Sequence, residues 1–149
     1  MSKVLAIACD HGGFELKKEI IAHLTKRGIE YKDFGCNSTE SVNYPDYAKL
    51  LCASIKSGET YRGILVCGTG IGMSIAANKH KGIRAACASD TFSVKYTRLH
   101  NDANVLCLGG RVVGAGLAME MVDLFIDTEF EGGRHQTRVD MLKAIEDEQ

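Results

Sequence analysis

Long apolar runs are missing from this 149-residue sequence, and no stretch approaches the ~18 residues that a membrane-spanning helix needs. The first residues lead directly into a predicted strand at Val4 and leave no room for a signal peptide. Long basic runs are missing as well, and the formal net charge is -1. We therefore expect a cytoplasmic protein with neither a membrane nor a nucleic acid as its partner.

Closely spaced pairs of metal ligands are also missing. The six cysteines form no CxxC pair, and the five histidines show no pair at the short spacing typical of zinc sites. We therefore expect no metal centre. In a reducing compartment most free cysteines are small buried hydrophobic side chains, and we interpret every cysteine except Cys67 in this way. These are Cys9, Cys36, Cys52, Cys87 and Cys107.

Strand-like and helix-like segments alternate along the whole chain, without repeats or low-complexity stretches, which predicts one α/β domain over residues 1–149. The predicted strands are 4–9, 29–34, 63–67, 83–88 and 105–108. The predicted helices are 14–27, 45–57, 73–79, 91–99, 114–127 and 137–148. Because most of the strands are short, continuous apolar runs, they predict a parallel sheet covered by helices on both faces.

Polar residues and glycines gather where three of the predicted strands end. The first strand runs into Asp-His-Gly-Gly (10–13), the third into Cys-Gly-Thr-Gly-Ile-Gly (67–72), and the fifth into Gly-Gly-Arg (109–111). Ligands of such sheets bind outside the carboxyl ends of the strands, near the point where the strand order reverses. Turns explain glycines alone, but their coincidence with Asp, His, Cys and Arg predicts a ligand site.

Cys67 opens the most unusual of these segments, between a predicted strand and a predicted helix. Three familiar motifs fail here, because a dinucleotide fingerprint needs glycine at Met73, a P-loop needs Lys-Ser/Thr after its last glycine, and a cysteine phosphatase needs arginine at Met73. What remains is a thiol beside a turn whose amides suit an oxyanion. This pattern predicts proton abstraction next to a carbonyl, although a tight turn around a buried cysteine also fits the spacing.

Two further candidates lie towards the end of the chain. His100 and Asn101 close the fourth predicted helix. Arg134 and Arg138 are four residues apart, so they share one face if a helix begins there, and such a pair suits a phosphate group. The residues alone leave two other interpretations open: the arginines also fit a solvated basic face, and the lone histidine also fits a structural role.

Taken together, these segments resemble ribose-5-phosphate isomerase type B, in the wider group that includes galactose-6-phosphate isomerase subunits. The resemblance covers nearly the whole chain. It rests on CDHGG at 9–13, NYPDYA at 43–48, GILVCGTGIGMSIAANK at 63–79, GIRAA at 82–86, HNDANVLCLGGRVVG at 100–114 and EGGRHQTRV at 131–139.

The resemblance implies a fold, a reaction and an assembly. The fold is a Rossmann-like three-layer αβα sandwich with five parallel strands. The reaction is the reversible isomerisation of ribose 5-phosphate and ribulose 5-phosphate, a step of the non-oxidative pentose phosphate pathway, without metal or organic cofactor. Members of the family are homodimers, which in some cases pair into tetramers, and each active site is shared between two subunits. We expect residues 128–149 to pack on the partner subunit.

The resemblance also assigns catalytic roles by motif. Cys67 is the base that moves a proton between C1 and C2 through a cis-enediolate. His100 is the acid that opens the furanose ring. Asp10 and Thr69 handle hydroxyl protons. Family members without this cysteine use a glutamate in the next helix, and Met73 and its neighbours offer no carboxylate, which favours Cys67.

The remaining site residues are expected to bind the substrate. The loop amides would hold the developing oxyanion, and they belong to Gly68, Thr69, Gly70, Ile71 and Gly72. The phosphate ligands would be His11, Arg134 and Arg138. The walls of the pocket would be Tyr44, Asn101 and Arg111.

Three alternatives stay open on the sequence. The first is that allose 6-phosphate replaces ribose 5-phosphate as the substrate or is a second substrate. It is longer than ribose 5-phosphate by one hydroxymethylene group, and a pocket discriminates one such group by only ~1–3 kcal/mol. A sensor that binds sugar phosphates without converting them is the second. Thiol redox chemistry at Cys67 is the third, which the lack of a nearby resolving cysteine in the sequence disfavours.

Overall fold

The computed structural model describes residues 3–149; Met1 and Ser2, on which the expectation about a signal peptide partly rests, lie outside the described residues. The strands are β1 (Leu5–Cys9), β2 (Tyr31–Asp33), β3 (Arg62–Cys67), β4 (Ala85–Cys87) and β5 (Val105–Gly109). The helices are α1 (Phe14–Lys26), α2 (Tyr44–Lys56), α3 (Ile71–Ala77), α4 (Thr91–Asn101), α5 (Ala115–Asp127) and α6 (Arg134–Asp147).

The five strands form one parallel sheet in the order β2-β1-β3-β5-β4. The chain moves outwards from β1 to β2 and then returns past β1 to β3, so the strand order reverses between β1 and β3. β1 and β5 are buried along their whole length, as expected when helices cover both faces of a parallel sheet. The predicted fold class is confirmed, and the reversal brings the loops after β1 and β3 together.

Two apolar layers hold the helices on the sheet. One face packs against α1, α4 and α5, through side chains such as Ile20, Val94 and Phe125. The other face packs against α2 and α3, through side chains such as Leu51 and Met73. Within residues 3–149, no helix combines the length and the apolar character needed to cross a bilayer.

Several predicted boundaries were wrong by a few residues. The edge strands β2 and β4 are shorter than predicted, at three residues each, because an edge strand has a neighbour on one side only. The last helix begins at Arg134 and not at residue 137, directly after Gly132 and Gly133, whose φ angles are 69° and 56°. These left-handed glycines turn the chain just before the helix, so that both candidate arginines become helical.

Two arginines hold helix ends in place on the side of the sheet where the strands begin, which we call the amino edge. Arg62, at the start of β3, donates to the carbonyls of Phe125 and Ile126 at the end of α5. Arg98, in the last turns of α4, is 1% exposed. Its guanidinium donates to the Asp102 carboxylate and to two backbone carbonyls, those of Ala103 and Thr128. The carboxyl ends of α4 and α5 therefore meet at the amino edge.

Replacing Arg98 with methionine should lower the free energy of unfolding by about 3 kcal/mol, because it leaves buried carbonyl groups without donors. Urea denaturation followed by circular dichroism measures this change. Lys95→Met on the exposed side of the same helix is the matched control and should change stability by less than about 0.5 kcal/mol. Equal stability of the two variants would contradict the structural role of Arg98.

Candidate active site

The loop after β3 holds the Cys67 thiol against the start of α3. Gly70 has a φ angle of 81°, and a Cβ there would lie 2.9 Å from the backbone of Leu108, so only glycine fits this turn. The turn points the Gly70 amide back at Cys67 Sγ, to which it donates at 3.1 Å. Cys67 is buried, with 5% of its surface exposed. The thiol sulfur thus lies against the backbone amides at the start of α3.

The loop amides divide into two groups. Those of Gly70 and Ile71 donate within the loop, the first to Cys67 and the second to Thr69 Oγ1 at 3.2 Å. Within the described part of the chain, the amides of Gly68, Thr69 and Gly72 have no protein acceptor. Three of the five predicted amides therefore remain available to an oxyanion, and the Thr69 hydroxyl orders the start of α3.

The loop after β1 lies beside the Cys67 loop, as the strand reversal requires. Asp10 is 7% exposed, and its Oδ1 accepts from the amides of Gly12 and Gly13 at 2.9 and 3.2 Å. His11 accepts from the Val42 amide through Nδ1 at 3.1 Å, which leaves Nε2 as the proton-bearing nitrogen of the neutral ring. The backbone of Gly12 approaches Gly68 so closely that a Cβ on Gly12 would lie 3.0 Å from the Gly68 nitrogen.

The side chains of Tyr44 and Arg111 pack against the Cys67 loop. The Tyr44 ring lies against Gly72, where an added Cβ would be 2.9 Å from two ring carbons. The Arg111 guanidinium lies over Gly68, with an Nη1 atom 3.3 Å from the position of a Cβ there, and its amide donates to the Gly68 carbonyl. The structure thus brings most of the predicted site together on the side of the sheet where the strands end, which we call the carboxyl edge, near the point where the strand order reverses.

His100 and Asn101 lie elsewhere, at the amino edge. They form the last turn of α4, which runs back along the sheet from the end of β4 to the start of β5. The Asn101 carbonyl accepts from Arg84, the residue before β4, at 3.0 Å. An eleven-residue helix spans about 16 Å at 1.5 Å per residue. Within one chain, His100 is therefore about a helix length away from the end of the sheet that holds Cys67.

A row of stacked rings fixes the His100 imidazole. Phe92 packs on Tyr96 with ring centroids 4.4 Å apart, Tyr96 meets His100 at 5.1 Å, and His100 stacks on His135 at 4.0 Å with 12° between the ring planes. His100 Nε2 is also 3.7 Å from a carboxylate oxygen of Glu131. The imidazole is thus held in place without being buried.

His135, in the first turn of α6, is buried, and several neighbouring charged groups shift its pKa. Burial of the ring lowers the pKa of His135, and the nearby His100 and Arg134 lower it further, while Glu131 opposes them. The neutral form is therefore favoured in the folded protein. Arg138 lies one turn further along α6 and also lowers this pKa. The two candidate phosphate ligands, Arg134 and Arg138, thus lie in the same neighbourhood as His100.

The structure therefore divides the predicted site into two clusters. The carboxyl-edge cluster contains Asp10, His11, Tyr44, Cys67, Gly68, Thr69, Gly70, Ile71, Gly72 and Arg111. The amino-edge cluster contains His100, Asn101, Arg134 and Arg138. No single chain brings the two clusters together, because they lie at opposite ends of the strands.

Three further residues lie beside these clusters. The sequence motifs assigned no role to Glu131 and His135, and the interpretation of Cys87 as a buried hydrophobic side chain was wrong, because this cysteine is exposed. Glu131 and His135 belong to the EGGRHQ motif, and their spacing of four was the available signal. Cys87 lies against the Cys67 loop, with its Sγ 3.7 Å from the Thr69 carbonyl. A second thiol is therefore close in space although it is 20 residues away along the chain, which weakens the sequence argument against a resolving cysteine.

Burial sets the other thiols apart. It raises the pKa of Cys9 to about 12 and that of Cys52 to about 11, and it raises the pKa of Cys107 well above the ordinary value. At pH 8 the ionised fraction is then about 10⁻³ for Cys52 and about 10⁻⁴ for Cys9. The interpretation of these three cysteines as buried hydrophobic side chains agrees with the structure.

Iodoacetamide at pH 8 should leave Cys9 and Cys52 unmodified in the native protein and modify both in urea, because only thiolates react at a useful rate. Peptide mass spectrometry measures each site. The exposed Cys87 is the internal reference, and native modification of Cys52 as fast as that of Cys87 would contradict this prediction.

Sequence comparison identifies the family of this chain. Residues 5–142 match the family model described as Ribose/Galactose Isomerase. The chain belongs to this family. Ribose-5-phosphate isomerase B of Escherichia coli is 51% identical over 144 residues, which cover 97% of each chain.

Solved structures agree as well. The Clostridium thermocellum ribose-5-phosphate isomerase B superposes with a TM-score of 0.95 at 51% identity, covering 97% of each chain. The Mycoplasma genitalium ribose-5-phosphate isomerase B, solved with bound ribulose-5-phosphate, superposes with a TM-score of 0.94 at 41% identity and covers 100% of this chain and 99% of its own. The predicted family resemblance and the predicted sandwich fold are confirmed.

Proposed function

We propose that this protein catalyses the reversible isomerisation of ribose 5-phosphate and ribulose 5-phosphate. The observation that carries the proposal is the Cys67 thiol, held by the Gly70 amide at 3.1 Å beside the amides of a helix start. Such a site suits proton transfer next to a carbonyl, because the charge that develops on oxygen meets fixed donors. The relatives named as ribose-5-phosphate isomerase B support the choice of substrate.

In the proposed mechanism, Cys67 as the thiolate removes the proton from C2 of the open-chain aldose. The electron pair moves towards C1 and the carbonyl oxygen takes up negative charge, which gives a cis-enediolate. The thiol then returns the proton to C1, while a proton passes between the two oxygens through Asp10 or Thr69. Each well-placed amide donor to the oxyanion is worth about 10²–10³ in rate. Only protons move, so the reaction consumes no redox cofactor.

Ring opening comes first, because the sugar phosphate enters as a furanose. The bond between C1 and the ring oxygen breaks as that oxygen takes a proton, which we assign to His100, the imidazole held by the row of stacked rings. The C1 hydroxyl group gives up its proton to Asp10 or Thr69 and becomes the aldehyde. Arg134 and Arg138 would bind the phosphate group together with His11, because guanidinium groups pair well with phosphate oxygens. Tyr44, Asn101 and Arg111 would line the pocket around the sugar.

These roles require a homodimer in which one chain supplies the carboxyl-edge cluster and its partner supplies the amino-edge cluster. Two observations support this. The clusters lie at opposite ends of the strands of each chain, and α6 exposes a row of apolar side chains. Met141, Leu142 and Ile145 are 61%, 49% and 55% exposed, which favours burial against a second copy. The exposed apolar row on α6 supports the expectation that residues 128–149 pack on the partner subunit. A tetramer would need a further surface.

The purified protein should convert ribose 5-phosphate to ribulose 5-phosphate and leave unphosphorylated ribose unchanged at equal concentration. A coupled ketose assay measures both. Binding of ribose 5-phosphate without turnover would favour the alternative of a sugar-phosphate sensor.

Allose 6-phosphate in the same assay tests the alternative substrate. We expect kcat/KM for it to be lower by a factor of about 10–200, the value of one hydroxymethylene group in a pocket. A ratio in the other direction would make allose 6-phosphate the better substrate. The cytoplasmic location and the lack of a nucleic-acid partner stay predictions from the sequence.

A further inference from the structure

Two imidazoles and one carboxylate converge at the amino edge. Glu131 lies four residues before His135, at the approach to α6, and His100 reaches them from the end of α4. His100 Nε2 is 3.7 Å from Glu131 Oε1, and His135 Nε2 is 3.8 Å from Glu131 Oε2. One donor atom from each of the three residues lies within 4.8 Å of the other two. Neither imidazole is close enough to the carboxylate for a hydrogen bond.

The His135 nitrogen lacks a partner. His135 is 5% exposed, and its Nε2 is the one buried side-chain nitrogen or oxygen in residues 3–149 that has no hydrogen bond. Leaving such an atom unsatisfied costs about 1–3 kcal/mol, so a buried group of this kind needs an explanation. Both Nε2 atoms approach the Glu131 carboxylate, so the orphaned nitrogen of His135 faces the same region as His100 Nε2.

The donor set narrows the choice of ligand. Two imidazole nitrogens and one carboxylate oxygen are ligands for divalent transition metals, whereas Mg²⁺ and Ca²⁺ prefer oxygen ligands alone. Zinc bonds to these donors are about 2.0–2.2 Å long, which in a tetrahedral site places neighbouring donors about 3.4 Å apart. The two distances to Glu131 exceed this by about 0.3–0.4 Å. The two distances go to different oxygens of Glu131. Binding therefore requires the half-exposed Glu131 side chain to move and the two nearly parallel imidazoles to tilt out of their stack, so that both nitrogen lone pairs point at the ion.

We propose that His100, Glu131 and His135 form a binding site for a divalent transition-metal ion such as Zn²⁺, and that the bound ion removes His100 from proton transfer. The three protein ligands leave a fourth position open for water. Arg134 and Arg138 lie close by and oppose a cation, so we expect weaker binding than in a structural zinc site. The first half of the proposal depends only on the cluster, and the second half rests on the ring-opening role proposed for His100.

Titration of the full-length protein, free of any histidine tag, with Zn²⁺ in a calorimeter tests the site. We expect one ion for each chain. Titration with Co²⁺ identifies the ligands, because nitrogen and oxygen ligands give only weak visible absorption, whereas thiolates add an intense near-ultraviolet band. Glu131→Gln should weaken binding of either ion by about tenfold or more, and His135→Asn should do the same. Glu19→Gln, on an exposed face of α1, is the matched control and should bind as the native protein does.

Three results would overturn the ion site: no binding to the native protein, a thiolate band in the cobalt spectrum, or unchanged affinity in Glu131→Gln. Circular dichroism establishes that this variant is folded, and because Glu131 is half-exposed the test does not depend on whether the buried His135 tolerates replacement.

The isomerase assay tests the second half separately. Zn²⁺ should inhibit the native protein over the concentration range in which it binds, and Glu131→Gln should need about tenfold more zinc for the same fractional inhibition. Stoichiometric binding without inhibition would leave the ion site standing and would contradict the ring-opening role of His100. Inhibition that is equal in the two proteins would show that zinc acts elsewhere, with the Cys67 thiol as the first candidate.

Discussion

Replacement of Cys67 with alanine should lower kcat for ribose 5-phosphate by about 10²–10⁴-fold, the usual contribution of a positioned general base. Binding of the sugar phosphate should change by only a few-fold, because the phosphate ligands and the loop amides remain. Steady-state kinetics measures the first effect, and calorimetric titration with ribose 5-phosphate measures the second. This result would identify the thiol as a proton carrier and not as part of the binding surface.

Cys87→Ser is the matched control for this experiment. Its thiol lies against the same loop, 3.7 Å from the Thr69 carbonyl, but has no role in the proposed mechanism, so we expect kcat within a few-fold of the native value. A Cys67→Ala protein with native kcat would contradict the role of Cys67 as the base. A large loss in Cys87→Ser would instead favour the redox alternative, in which the two thiols act as a pair.

A mixture of two inactive variants should recover activity. In a heterodimer of Cys67→Ala and His100→Asn, one of the two shared sites carries both substitutions and the other carries neither. Random exchange of subunits makes half of the dimers mixed, so we expect about a quarter of native activity. Each variant alone should have almost none. Co-refolding equal amounts of the two proteins and measuring specific activity gives the answer directly.

The control for this experiment is a pair of substitutions at the same edge of the sheet. Cys67→Ala mixed with His11→Asn should not recover, because every shared site of the mixed dimer then has one defect. A site built from a single chain makes a different prediction, namely no recovery in either mixture. Recovery limited to the first pair would therefore establish both the dimer and the assignment of the clusters to different chains.

Much of this architecture could be predicted from the sequence because the signals are local. Continuous apolar runs predicted the parallel strands, and the loops at 10–13 and 67–72 were expected together because strands of one parallel sheet end at a common edge. The boundaries of β2, β4 and α6 were less accurate. The edge strands are short because each has only one neighbouring strand, and α6 begins early because two left-handed glycines precede it. The spacing of apolar residues in the sequence reveals neither cause.

The division of the site could not be predicted from residue types. His100 was placed correctly at the end of a helix, but its distance from Cys67 depends on the direction in which α4 crosses the sheet. The resemblance implied shared sites without saying which residues each chain supplies. The cluster around Glu131 was missed for a related reason, since spacing rules look for ligands on one segment, whereas one imidazole here comes from a different helix.

In the proposed homodimer, the placement of the two clusters at opposite ends of the strands should also make the rate law depend on concentration. Because an isolated chain holds only half of each site, turnover per chain should fall on dilution through the dissociation constant of the dimer and approach zero below it. Near that point, substrate that bridges the two chains should favour association, so that progress curves begin with a lag which shortens as sugar phosphate is added. For this protein, a dilution series of initial rates would report subunit affinity as directly as a sedimentation experiment.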